Sequence, residues 1–141
     1  MHLPDRVSAE LLESWRRLAD AVATELRAAG LTVARLDNGA PVQQGPTRGA
    51  LVDVDPFHDG GVFVSWQSAD EIEIAAMAAV EAGHVDDPAI QRSGGISHTM
   101  IHAMAALLTA AGFTVANTKS SDFRPLQIHV SRNTATQEGE V

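Results

Sequence analysis

The chain has no cysteine, which excludes a disulfide framework and thiolate chemistry. It has no tyrosine, two tryptophans and four phenylalanines, so aliphatic and small side chains must fill its core. Bases are scarce: 10 Lys and Arg stand against 18 Asp and Glu, for a formal net charge of −8. Such a chain lacks the cationic footprint that nucleic acid or an anionic membrane surface requires, so neither is expected as a partner. Between Arg48 and Arg92 there are nine acids and no Lys or Arg. That stretch predicts a solvated acidic surface or one that meets a basic partner. Apolar runs stay below 18 residues, so no membrane-spanning helix is expected. The opening M-H-L-P-D-R-V-S does not follow the pattern of a secretion leader, and the cytoplasm is the expected compartment. The excess of arginine over lysine suits a GC-rich bacterial genome.

What is present fits one domain. A chain of 141 residues, 45% hydrophobic, can bury a core without staples. A single domain is expected over residues 1–131, with the polar run R-N-T-A-T-Q-E-G-E-V at 132–141 as a flexible tail. Ser8 can cap a first helix, on which Leu11, Trp15, Leu18, Val22, Leu26 and Ala29 form one apolar stripe that Gly30 ends. Glu13 with Arg17, and Arg16 with Asp20, sit four apart on its wet side. Leu31–Leu36, Leu51–Asp55 and Val62–Gln67 read as an antiparallel meander, with D-N-G-A-P-V-Q-Q-G-P-T-R-G as a loop. Ser68 with Glu71 matches a capping box for a second helix ending at Gly83. Asp87-Pro88 predicts one further helical turn, and Ser97 the cap of a buried helix that stops at Gly112. Strands at Phe113–Asn117 and Leu126–Ser131 complete the chain.

The expected fold is therefore α+β: about five antiparallel strands with helices mainly on one face, in the order α-β-β-β-α-α-β-β. An internal echo supports two helix–strand units on one sheet. L-R-A-A-G-L-T-V-A-R at 26–35 matches L-T-A-A-G-F-T-V-A-N at 108–117 in seven of ten positions.

Three groups of residues could carry function. His98 and His102, four apart on a helix, have the spacing of metal ligands. A third ligand would have to come from Glu81, His84, His58 or Asp59, and Thr99 stands where H-E-x-x-H has its glutamate. No metal and no cofactor are expected. The second group, Arg92, Ser93, Gly94, Gly95 and Ser97, runs into the predicted start of the same helix, where free N–H groups can hold an anion. The third is the sheet face opposite Val52, Val54, Val62, Val64, Leu126, Ile128 and Val130. Alternation places Leu51, Asp53, Asp55, Phe63, Ser65, Gln67, Gln127, His129 and Ser131 there. Leu51 and Phe63 among polar groups suit an interface.

No family motif is carried by these residues. Element order, small size and acidity are similar to those of secretion-chaperone-like domains, a likeness at the level of fold. The reading favoured is a non-catalytic protein-interaction domain of chaperone-like, adaptor or immunity type. It would act as a homodimer or with another protein through the third group. The alternative is a small-ligand or metal-dependent enzyme, sited at the N-terminus of the helix starting at Ser97.

Overall fold

The computed structural model describes residues 5–118 and 127–133. Its elements, in chain order, are α1 (Ala9–Ala28), β1 (Val33–Asp37), β2 (Ala40–Pro41), β3 (Gly49–Asp55), β4 (Gly61–Gln67), α2 (Asp70–Glu81), α3 (Pro88–Ala110), β5 (Phe113–Thr118) and β6 (Gln127–Asn133). The fold is α+β. Among the described residues the sheet has six strands in the order β2-β1-β3-β4-β6-β5. The tail expected over 132–141 lies outside the described residues from 134 onward, and Arg132 and Asn133 end β6.

Two features of the sheet correct the sequence reading. It is mixed, not antiparallel: β1 runs parallel to β3, with Val33 opposite Ala50 and Asp37 opposite Val54. The sixth strand, β2, lies inside the stretch read as loop. Asn38 and Gly39 both adopt positive φ, 51° and 79°, and fold β2 back on β1 as a hairpin. The chain then crosses beyond the start of β1 and returns on its other side as β3, which makes the β1–β3 pair parallel. Gly49 is what the close approach there requires. Its φ is +79°, and a Cβ would stand 2.3 Å from the Thr32 carbonyl oxygen.

The core lies on one face of this sheet. Val52, Val54, Val62, Val64, Ile128 and Val130 are 0–1% exposed there, packed under Val22 and Leu26 of α1 and Ile101, Met104 and Leu108 of α3. Each such aliphatic side chain contributes roughly 1.5–3 kcal/mol on burial. α1 owes its seat to Leu12, Ala19, Val22, Ala23 and Leu26, and to charges on its flank, while Leu11 and Ala29 of the expected stripe are exposed. The Ser8 hydroxyl caps it by accepting from the Leu11 N–H at 3.2 Å. Arg16 donates to Asp37 at 2.7 Å, and Arg35 to Asp20 at 2.9 Å. Positions i and i+4 of the helix thus meet positions i+2 and i of the strand, because both spacings are close to ~6 Å. The expectation that Arg16 pairs with Asp20 on the wet side is replaced by this exchange. Arg35 is 7% exposed and also donates to the carbonyls of Leu36 and Val52, so its charge is not buried alone. The expected Glu13–Arg17 pair is present at 3.9 Å, on an exposed surface.

The helical hairpin departs furthest from expectation. Ser68 does not cap α2. It is buried and its hydroxyl accepts from Trp66 Nε1 at 3.2 Å, while the cap position falls to Ala69, with no side-chain bond. α3 begins at Pro88, not at Ser97: Asp87 caps it by accepting from the Ala89 N–H at 2.8 Å. The predicted extra turn and the predicted central helix are one 23-residue helix that runs through Gly94 and Gly95. Two glycines in a helix cost about 1 kcal/mol each. Contact with α2 offsets this, with Ser93 donating to Glu73 at 3.5 Å.

Candidate functional site

The face of the sheet turned away from α1 and α3 carries a row of side chains set by register. Leu36 of β1 lies beside Asp53 of β3, Asp53 beside Phe63 of β4, Phe63 beside His129 of β6, and His129 beside Ala116 of β5. Leu51 and Ser65 are partners in the next row along. Phe63 therefore stands at the centre of the row between a carboxylate and an imidazole. Its ring centroid is 4.9 Å from that of His129, with the planes inclined at 33°. Gly61 leaves room for the imidazole. Its φ is +136°, and a Cβ would lie 2.7 Å from His129 Nε2.

A shallow depression of about 550 Å³ opens on this face, against about 200 Å³ for a cleft between α2 and α3. Leu36, Leu51, Phe57 and Phe63 give it apolar walls, and Asp53, Asp55, Ser65, Gln127 and the Asn38-Gly39 turn give it polar ones. Of the residues predicted for this face, Leu51, Asp53, Asp55, Phe63, Ser65 and Gln127 are brought together in that lining. His129 joins through its contact with Phe63, and Gln67 lies at the far end of β4, opposite Gly49. Leu51 and Phe63 are half-buried, so they are less wet than the alternation alone suggested.

The electrostatics of the row follow from partial burial. Desolvation raises the Asp53 pKa above the usual carboxylate value, and the charges of Asp37 and Asp55 add to it. The backbone N–H groups of Gly39, at 3.1 Å, and Val54 act the other way by bonding the charged form. Desolvation lowers the His129 pKa, which favours the neutral imidazole. The row thus sets a partly desolvated carboxylate and a partly desolvated imidazole on either side of an aromatic ring. Chemically, Asp53 can accept a hydrogen bond and a His129 ring N–H can donate one.

The residues of the alternative site are spread along one helix. His98 and His102 do meet, ring centroids 4.4 Å apart in an edge-to-face arrangement, and both are exposed. Arg92 lies ten residues from His102, about 15 Å along the axis, and lines the cleft with Glu71, Ile72, Ala75 and Ala89. Gly94, Gly95 and Ser97 are interior helical residues whose N–H groups belong to the helix ladder, so the anion-binding terminus expected there does not form. Among the described residues, no three His, Asp or Glu side chains gather in reach of one metal ion. The Asn38-Gly39 turn, Leu36 and Phe57 border the depression and were not anticipated. N-G is a strong hairpin signal and could have revealed the first of them.

No protein-family model matches the chain, and no curated protein or solved structure is significantly similar to it.

Proposed function

We propose that this chain is a non-catalytic protein-interaction domain, of chaperone-like, adaptor or immunity type, that associates through the open face of its sheet. The observation that carries the reading is the row Asp53–Phe63–His129, with the depression beside it. A second copy of the chain is the first partner to consider, because the row is complementary to itself. A two-fold axis parallel to the strands and passing over Phe63 reverses the order of the row in the partner. Adjacent strands are about 4.8 Å apart, so each Asp53 then comes opposite a His129, and Phe63 meets Phe63. An axis across the strands would instead stack Asp53 on Asp53. Both axes keep the strands of the two sheets aligned, so the pairing of charges decides between them. Leu51 and Phe63 are already half-buried, so association adds only about 1 kcal/mol from each. Pairing of Asp53 with His129 supplies the specificity.

The alternative, a small-ligand or metal-dependent enzyme on α3, draws support from the His98–His102 contact alone. Light scattering on the wild-type chain and on Phe63→Asp, across a concentration series to high micromolar, tests the favoured reading. The wild type should be dimeric at the upper end, and Phe63→Asp folded and monomeric. A wild-type chain that stays monomeric throughout, or a dimer indifferent to Phe63→Asp, refutes association of copies through this face.

A further inference from the structure

α2 presents apolar surface on two sides. Ile72 and Ala79 are buried, with Ile72 lining the cleft against α3, while Ile74, Met77 and Val80 remain 67%, 59% and 58% exposed. These three recur every third residue, so they line neighbouring turns as one stripe. Val85, just past the helix, is 76% exposed. A stripe of this kind is unlike the scattered single apolar residues of an ordinary surface. The sequence that carries it has one sign of charge, Arg92 across the α2–α3 cleft being the nearest base that follows. The stretch from residue 49 to 91 has no Lys or Arg. Glu73 is engaged by Ser93, Asp87 caps α3, and Glu71 shares its cleft with Arg92. Exposed Asp70, Glu81 and Asp86 are left to set the sign of the surface.

That charge selects the occupant. A second copy would bring the same acids against themselves, and an anionic lipid surface would be repelled. A straight ridge of side chains on an exposed helix is the shape that a facing helix packs against. We propose that the Ile74–Met77–Val80 face of α2 docks an amphipathic helix of another protein, apolar along one stripe and flanked by Lys or Arg. This surface is separate from the open sheet face and stands or falls independently of it.

The test uses the full chain and a synthetic 18-residue peptide of Leu and Lys placed at helical spacing. A scrambled isomer of the same composition and a Leu/Glu counterpart serve as controls. The patterned Leu/Lys peptide should bind at least tenfold more tightly than either control, with amide shifts concentrated in residues 70–86. Ile74→Ser combined with Met77→Ser should remove that tenfold margin without lowering the melting temperature, since both side chains are exposed. Glu81→Lys combined with Asp86→Lys should weaken binding and flatten its salt dependence. Equal binding of the scrambled isomer, or indifference to both double variants, overturns the proposal. So does a wild-type dimer that Ile74→Ser with Met77→Ser dissociates, or binding to phosphatidylcholine vesicles that the same variant abolishes.

Discussion

The two faces of the sheet are built from the same strands and differ in almost everything else. On one, Val52, Val54, Val62, Val64, Ile128 and Val130 are sealed under α1 and α3. On the other, the residues between them in sequence form a row of carboxylate, aromatic ring and imidazole beside a shallow depression. A strand has period two, so one backbone serves both surfaces. On the proposed function, the difference separates stability from association: substitutions on the covered face should unfold the chain, and those on the open face should leave it folded but alter what it meets.

The largest effect expected is at Leu108, fully buried in the last turns of α3. Leu108→Ala should cost about 2–5 kcal/mol. Leu51→Ala, on the open face, should cost no more than about 1 kcal/mol. Denaturant titrations of both variants check this. Similar losses would mean that the open face is also a structural surface, and the division of labour would fail.

A smaller effect, of opposite sign, belongs to the covering layer. A Cβ added at Gly94 or Gly95 would meet no heavy atom within 4 Å beyond its own helix, and neither residue has a positive φ. Replacing both by Ala should therefore stabilise α3 by about 0.5–1 kcal/mol each. A melting temperature that falls instead would show that the helix needs these glycines, which the geometry around them gives no reason to expect.

How much of this was legible in the sequence follows from the range of the interactions. α1 has a strong period of 3.6 and its own cap, and its limits were readable within a residue or two. The echo between 26–35 and 108–117 also held its meaning. In both copies a helix ends, a glycine takes positive φ at 96° or 98°, and a strand begins over a fully buried leucine, Leu26 or Leu108. The strict alternation of β3 and β4 assigned their faces, and the lining of the depression followed from it. What failed was decided by partners distant in sequence. Ser68 met the requirements of a cap, and the indole of Trp66 took its hydroxyl. Gly94-Gly95 is a breaker by propensity, and contact with α2 carries the helix through it. The parallel pairing of β1 with β3 depends on where the chain goes after the Asn38-Gly39 turn, which no local pattern records.

The smallest effect expected is in the dependence of stability on pH, and it probes the open face directly. It should be measured at low micromolar concentration, below the range in which the proposed dimer is expected to form. Asp53 has a raised pKa in the fold, chiefly through desolvation. Its ionised form therefore costs folding free energy at neutral pH. The folded state takes up the proton before the unfolded state does, so stability is regained as pH falls through the folded value toward 3.8. His129 behaves oppositely. Its pKa is lowered in the fold by desolvation, so the unfolded state binds the proton first. Stability is lost as pH falls from above 6.5 through the folded value. Asn at position 53 keeps an acceptor for the Gly39 N–H and removes the charge. Asp53→Asn should thus raise the melting temperature slightly at pH 7, by an amount that shrinks toward zero below pH 4. His129→Gln should flatten the decline between pH 7 and pH 5 while leaving the Asp53 limb intact. Thermal melts across that range decide it. If Asp53→Asn lowers the melting temperature at pH 7, the bonds from Gly39 and Val54 outweigh the desolvation, and the open face is already satisfied without a partner.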